Sequence, residues 1–346
     1  MARYALLSAA LCWLTLSALA IAEDNKGKAK PQDDPAATYT FSRPYTHDNL
    51  TIFFVHGKDT LSGKPLLTLQ EALEQKKAVV HETKEVNELS VDNVSPDVEI
   101  YIQAGDIVKG GQQDRIISYD LIVPPKSGKI PIASFCVESG RWTKRGNEAV
   151  GYFASTANVA NSKDLKVAAQ SSMRSQDRVW AKVREAQKKL SENVGKDVQN
   201  KESPTSLQLT LEDKKLLEEV DKYVKELTKT PEGKKDVIGY AVAINGKIEG
   251  ADVFGSNALF LKLWPKLITG SATEALAEKR KDKKFEAPTA DAVKQFLVDA
   301  VKGKKTEKEV SKRVKQICQE DDKNLYLEAR DSANKDAVIH RSYTKK

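Results

Sequence analysis

The chain has little with which to build a metal site or a disulfide framework: three cysteines and four histidines among 346 residues. Cys12, Cys136 and Cys318 form no CxxC pair and have no zinc-type spacing to His47, His56, His81 or His340, so no metal and no cofactor is expected. Cys136 and Cys318 lie far apart, and two cysteines do not by themselves establish a bridge, because disulfide geometry is specific. Neither the GxSxG turn of serine hydrolases nor the HExxH of zinc proteases occurs. Gly105 and Gly110 have the spacing of a phosphate loop, but Gly111 and Gln112 stand where Lys and Ser/Thr are required. Charge of one sign is also lacking, since 56 Lys and Arg oppose 49 Asp and Glu. The Lys-rich stretches 278–286 and 301–315 carry Glu between the lysines and lack Arg forks with interleaved aromatics. They read as solvated helix faces, and no nucleic-acid partner is expected. With 40% apolar and 30% charged residues, the composition is that of a folded chain.

Only one run is long and apolar enough to concern a membrane. Arg3 precedes an apolar stretch over 4–22, which closes on Ala20-Ile21-Ala22 and turns abruptly polar at 23–30. This is the layout of a cleavable signal peptide, with the small-x-small cleavage site at its end. At roughly 20 residues the run could also span a bilayer as an anchor, but its Ala and Ser content favours cleavage near Ala22. Leu11 before Cys12 is too bulky for a lipoprotein site. The expectation is export to the periplasm or the extracellular space, with no membrane insertion after cleavage.

The organisation expected is a signal peptide at 1–22, a flexible linker at 23–37 and a folded region at 38–346. The linker is polar, with two prolines and no large apolar side chain. Up to about residue 160 the pattern is mostly strand: 51–57, 98–106, 115–125 and 129–139 alternate or run apolar, with a helical interruption at 65–77 and turn residues at 124–128. From 161 the period changes. Residues 175–190 put Val179, Trp180, Val183, Ala186 and Leu190 on one helical face. A second helix is expected over 210–229 with Thr210 as N-cap. Asn245-Gly246 marks a hairpin within 237–254. Helices follow at 258–279, with Pro265 as a kink, and at 287–303, with a closing hairpin over 324–343. The class is α+β: a β-rich part, sandwich- or barrel-like, over 38–160, then helices packed on a small antiparallel sheet over 161–346.

Residues 105–142 concentrate polar side chains among apolar strands. Gly110-Gly111 permits a tight turn or a close backbone approach. The candidate binding residues are Asp106, Gly110, Gln113, Arg115, Glu138, Arg141 and Trp142. Arg would grip an anionic group through its planar fork, and the carboxylates would accept donors or act as acid and base. The competing reading is an internal ion-pair network that holds strands in register. Cys136 has no histidine at a suggestive spacing and reads as a buried strand cysteine. Trp142 and Trp264 read as core. Asn49-Leu50-Thr51 is a glycosylation sequon, relevant only in a eukaryotic host.

The pairing of Gly105-Asp106, Gly110, Gln113 and Arg115 with the string CVESGRW at 136–142 resembles the ARPP family, the ARG and rhodanese-phosphatase-superfamily-associated protein domain. The likeness extends through 237–267 and from about Tyr39 to the C-terminus, with Asp106 where the family more often carries Glu. The resemblance implies a shared fold and brings no reaction with it. With polar residues clustered and no catalytic set recognisable, the leading expectation is a non-catalytic ligand-binding or sensing module. Its partner would be an unidentified small molecule or protein. The alternatives are a hydrolase using Asp106 or Glu138 as general base, and a structural or interaction protein.

Overall fold

The structure, a computed structural model, describes residues 35–346 other than 62–64, 160–161, 229–230, 232 and 281–282. The signal peptide expected at 1–22 and nearly all of the linker expected at 23–37 lie outside the described residues. The linker ends in ordered chain: Pro35–Thr38 is a short 3-10 helix, and Ala36 is fully buried.

In chain order the first part comprises β1 (Thr40–Phe41), β2 (Tyr45–His47), β3 (Leu50–His56), β4 (Leu66–Thr68), α1 (Leu69–Glu74), β5 (Ala78–Glu82), β6 (Glu88–Asn93), β7 (Glu99–Ile102), β8 (Ile107–Gly110), β9 (Arg115–Ile117), β10 (Leu121–Val123), β11 (Lys129–Cys136) and β12 (Phe153–Ala154). The second part comprises α2 (Lys163–Gln170), α3 (Gln176–Val194), α4 (Leu207–Leu211), α5 (Lys214–Leu227), β13 (Val237–Ile244), β14 (Lys247–Phe254), α6 (Asn257–Ala277), α7 (Ala290–Ala300), β15 (Lys304–Glu309), β16 (Val314–Glu320), β17 (Asn324–Asp331) and β18 (Ala337–Lys345). The α+β class is as the sequence indicates.

Strands β12-β8-β9-β11-β6-β5 form a six-stranded sheet. It curls until its two edges nearly meet, through a bridge between His81 and Tyr152 and the bond from Glu82 N–H to the Gly151 carbonyl at 3.1 Å. Strands β10-β7-β4 form a small separate sheet. The third sheet runs β1-β3-β13-β14-β18-β17-β16-β15, with β2 also on β3. It therefore draws strands from both ends of the chain and is wider than the hairpins of the second half alone. Strands β3 and β13 lie side by side toward the β1 edge and are covered on both faces, which explains their nearly unbroken apolar runs. Ile52 and Phe54 face the helices α3, α5 and α6, while Phe53 and Val55 face α7. The larger apolar cluster also holds Tyr101, Ile116, Phe135 and Val137 from the β-rich part. One core thus crosses residue 160.

Local signals explain most element ends. Thr68 and Glu71 form a reciprocal capping box on α1. Asn245 and Gly246 both have positive φ, 52° and 74°, as the turn between β13 and β14 requires. α6 runs unbroken through Pro265. The expected cap at Thr210 is corrected: α5 starts at Lys214, and Asp213 caps it by accepting from Lys215 and Leu216 N–H. Thr210 instead sits inside α4, fully buried and bonded to Gln187. The Lys-rich 301–315 stretch is corrected as well. It is the exposed edge strand β15 leading into β16, because pairing with the half-buried β16 outweighs the helix propensity of Lys and Glu. The sequon is structural: Asn49 is buried, donates to the Ala275 carbonyl at 2.9 Å and accepts from Tyr223.

Gly239 lies in β13 between Val55 and Val253, where a Cβ would strike the Asp252 backbone. Gly239→Ala is expected to destabilise the fold by about 1–3 kcal/mol, as a lower urea midpoint at unchanged m-value. An unchanged midpoint would mean that β13 and β14 have room to separate.

Candidate functional site

The 105–142 stretch folds as β8, a tight turn, β9, β10, β11 and the start of the loop after it. Gly110 and Gly111 make the turn with φ of 121° and 52°, and a Cβ on Gly111 would collide with the Phe153 ring. The turn carries Asp114 into the interior, opposite Glu138 just past the end of β11. The two carboxylates are fully buried and linked, since the Asp114 N–H donates to Glu138 Oε2 at 3.0 Å.

Two arginines from the loop after β11 neutralise them. Arg141 clamps Glu138 with both ends of its fork, Nε to Oε1 at 2.7 Å and Nη2 to Oε2 at 2.8 Å. Its other hydrogens go to the carbonyls of Gly110, Gly111 and Thr143. Arg145 donates to both oxygens of Asp114 at 2.9 and 3.0 Å, to Glu138 Oε1 at 3.2 Å, and to Glu148. The Ser203 hydroxyl donates to Glu138, and the Ser206 hydroxyl to Asp114 at 2.7 Å. Ser206 is also the N-cap of α4. Burial pushes the Glu138 carboxyl up, but Arg141, Ser203 and the Asp114 N–H outweigh it and hold it below the ordinary carboxylate value.

The expected site residues are therefore not gathered round one opening. Gly110, Glu138 and Arg141 belong to this closed network. Asp106 stands apart, buried and paired with Lys266 of α6, with the Gln103 N–H at 3.0 Å. Gln113 and Arg115 are fully buried on the other side of the turn. Arg115 Nη1 donates to Cys136 Sγ at 2.6 Å and to Gln113 Oε1 at 3.3 Å, and Nη2 lies 3.6 Å from Glu82. Burial pushes the Cys136 thiol up to about 11, only partly offset by Arg115, which disfavours its thiolate at neutral pH. Cys136 and Cys318 are both free thiols. Trp142 corrects the expectation of core packing, being 46% exposed, whereas Trp264 is buried and bonds to the Thr228 carbonyl.

The sequence reading passed over Asp114, Arg145, Ser203 and Ser206. Arg145 follows Arg141 by four residues in a loop with no regular period, and the two serines lie in a segment that reads only as a connection. A second buried network escaped it as well. His340 Nδ1 lies 3.0 Å from Asp120 and Nε2 3.3 Å from Asp252. Lys166 Nζ reaches both oxygens of Asp252 at 2.8 and 3.0 Å, and Tyr101 donates to Asp120 at 2.7 Å. Burial lowers the His340 pKa, but Asp120 and Asp252 overcome it and raise it to about 9.

The open space lies elsewhere. A cleft of about 610 Å³ separates the Gln170–Arg174 bend between α2 and α3 from the β15–β16 ribbon, with Tyr119 at its back. That volume falls within the range of small-molecule sites, roughly 300–1,000 Å³. The cross-strand pairs Lys304–Glu320, Thr306–Cys318 and Lys308–Gln316 share one face of the ribbon and line the cleft.

Two tests follow. Glu138→Gln leaves Arg141 and Arg145 short of a buried counter-charge. It is expected to cost about 3–5 kcal/mol in urea unfolding, and a cost under about 1 kcal/mol would show that the network is not holding the fold. The second test is of pH. Charged His340, raised from 6.5 to about 9, stabilises fully below pH 6.5, and that contribution is lost as pH rises through about 9. Glu274, pushed up to about 8 by burial, acts in the same direction from 4.5 upward. Urea midpoints should therefore fall from mildly acid to alkaline pH. His340→Gln should remove roughly 3 kcal/mol of that fall; a profile unchanged by the substitution would contradict the assignment.

No helix among the described residues is long and apolar enough to cross a membrane. Comparison with curated proteins and with solved structures finds no match for this chain. A family model does match, over residues 38–344, which spans every element from β1 to β18 and both buried networks. The chain belongs to the ARPP-1 family, the ARG and Rhodanese-Phosphatase-superfamily-associated Protein domain.

Proposed function

We propose that this protein is an exported, non-catalytic binding or sensing module, and that its ligand occupies the cleft between the α2–α3 bend and the β15–β16 ribbon. One contrast carries the reading: the motif's carboxylates are consumed by ion pairs, while the cleft is open and of ligand size. A general base needs a free acceptor titrating near the working pH. Glu138 sits below the ordinary carboxylate value, and Asp106 is paired with Lys266. The hydrolase reading therefore lacks its base. The structural reading fits the 105–142 motif itself, which acts as the frame while the cleft does the binding. Export rests on the 1–22 leader, and predicts a secreted chain whose intact mass starts at Glu23.

The test is a thermal-shift screen of the purified chain against nucleotides, sugars, peptides and organic acids, run beside Thr306→Trp. Thr306 is exposed on the edge strand, so the larger side chain fills the cleft without disturbing the core. A compound at a hundred times its dissociation constant stabilises by about 2.7 kcal/mol. The expected result is a shift with the parent that Thr306→Trp loses. A shift that survives Thr306→Trp, silence across the whole screen, or turnover abolished by Glu138→Gln would each overturn the proposal.

A further inference from the structure

The charges in the cleft are not balanced pair by pair. Glu320 is satisfied by Lys346 at 2.9 Å and by the Ser172 N–H at 2.8 Å. Glu307 is held from the other face of the ribbon by Lys305 and Lys315. Asp321 accepts the N–H groups of Lys323 and Asn324, and Asp322 is exposed beside it on the β16–β17 turn; among the described residues neither is within ion-pair distance of a cation. Three cations of the lining are likewise unpaired. Among the described residues Arg174, Lys304 and Lys308 have no carboxylate within ion-pair distance. Two of them crowd one aromatic ring: Lys308 Nζ lies 4.7 Å from the Tyr119 centroid and the Arg174 guanidinium 5.7 Å from it. The ring quadrupole attracts each cation, but it neutralises neither, and like charges gathered at one ring repel. Tyr119 is buried, and its hydroxyl meets Lys308 at 3.4 Å, so the ring sits fixed at the back of the cleft. Thr306 and Gln316 add neutral polar groups to the same face. An arginine fork, two ammonium groups and a hydroxyl thus line one space and offer donors, with two cations gathered at the Tyr119 ring.

We infer that the ligand of this cleft carries an oxyanion, phosphate or carboxylate, held by Arg174, Lys304 and Lys308 over Tyr119. The inference rests on the cleft being the ligand site, and it names the chemistry that the site selects. An oxyanion supplies the unpaired cations with a counter-charge and relieves the repulsion between Arg174 and Lys308 at the Tyr119 ring. Arg would take it bidentately, and the lysines as point charges. Binding should weaken as salt rises, because the donors lie in a solvent-filled cleft.

Calorimetric titration of the full chain with pyrophosphate, with citrate and with neutral trehalose tests this. Cys318 lines the cleft and is half-buried, so maleimide labelling of its tryptic peptide, read by mass spectrometry, reports occupancy independently. The expected result is that pyrophosphate or citrate binds and protects Cys318. Lys308→Ala and Arg174→Ala should each weaken binding by roughly tenfold or more, while Lys222→Ala, exposed on α5, leaves it unchanged. Pyrophosphate alone would identify a phosphate ligand, and citrate alone a carboxylate. Trehalose binding and protecting Cys318 with both anions silent would overturn the oxyanion assignment and leave the cleft standing as a site. Anion binding unaffected by the two cleft substitutions, with Cys318 unprotected, would be an adventitious surface effect and would overturn it too.

Discussion

A charged carboxylate just past the end of β11 with no access to water is the constraint on which this fold turns. Removing an ion from water costs several kcal/mol, and the cost is met only where partners surround it. Glu138 accepts from the Asp114 N–H, from Arg141 twice, from Arg145 and from Ser203. Those donors come from the β8–β9 turn, the loop after β11 and the segment before α4. None of these segments carries enough apolar surface to fix itself. Each is placed because the buried charge admits one arrangement of the others. Ser206 extends the arrangement into the helices, since one hydroxyl both caps α4 and donates to Asp114. Gln176, the first residue of α3, bonds both the N–H and the carbonyl of Cys136, so the same strand end is also docked by neutral bonds.

The network of His340, Asp120, Asp252 and Lys166 performs a parallel task on another contact between the two parts of the chain. Asp120 comes from the β-rich part, Asp252 and His340 from the large sheet, and Lys166 from α2. Between the networks the apolar cluster is continuous. Hydrophobic burial drives that contact but is indifferent to direction. Directed bonds from buried ions select the orientation, at the expense of stability that well-packed apolar groups could have supplied. His340 also stacks on Phe254 at 4.4 Å, so its ring is fixed by packing as well as by charge.

What was legible in the sequence follows from this division. The apolar runs of β3 and β13, the Asn-Gly hairpin and the helices α3, α5, α6 and α7 depend on local period and capping, and the sequence displays both. The motif was legible as a cluster of unusual residues, but its meaning was not. Whether Arg141 and Glu138 face a ligand or each other depends on Ser203, Ser206 and Arg145, whose neighbours in sequence carry no sign of it. The joining of β3 to β13 links residues near 50 with residues near 240, and no local pattern encodes such a pairing. β15 was misread for a related reason. Its Lys and Glu favour a helix in isolation, and on an edge strand the same charges guard exposed backbone against another chain.

The same logic explains why the cleft was invisible from the chain. Its walls come from residues 119, 170–174, 304–308 and 316–322, and each stretch alone is unremarked polar surface. Two of the walls are fixed by the buried ions. Tyr119 adjoins Asp120, which His340 and Tyr101 hold, and the Gln170–Arg174 bend follows α2, anchored through Lys166. The third wall is the β15–β16 ribbon, whose outer strand has one neighbour and no cover. Arg174 and Tyr119, held on fixed walls, would need little ordering when a ligand arrives, which is how preorganisation favours affinity. The ribbon is the wall with the fewest restraints, so on the proposed reading adjustment to the shape of a ligand would fall to β15. On the proposed reading the His340 network would serve binding at a distance, by holding the walls that face the edge strand.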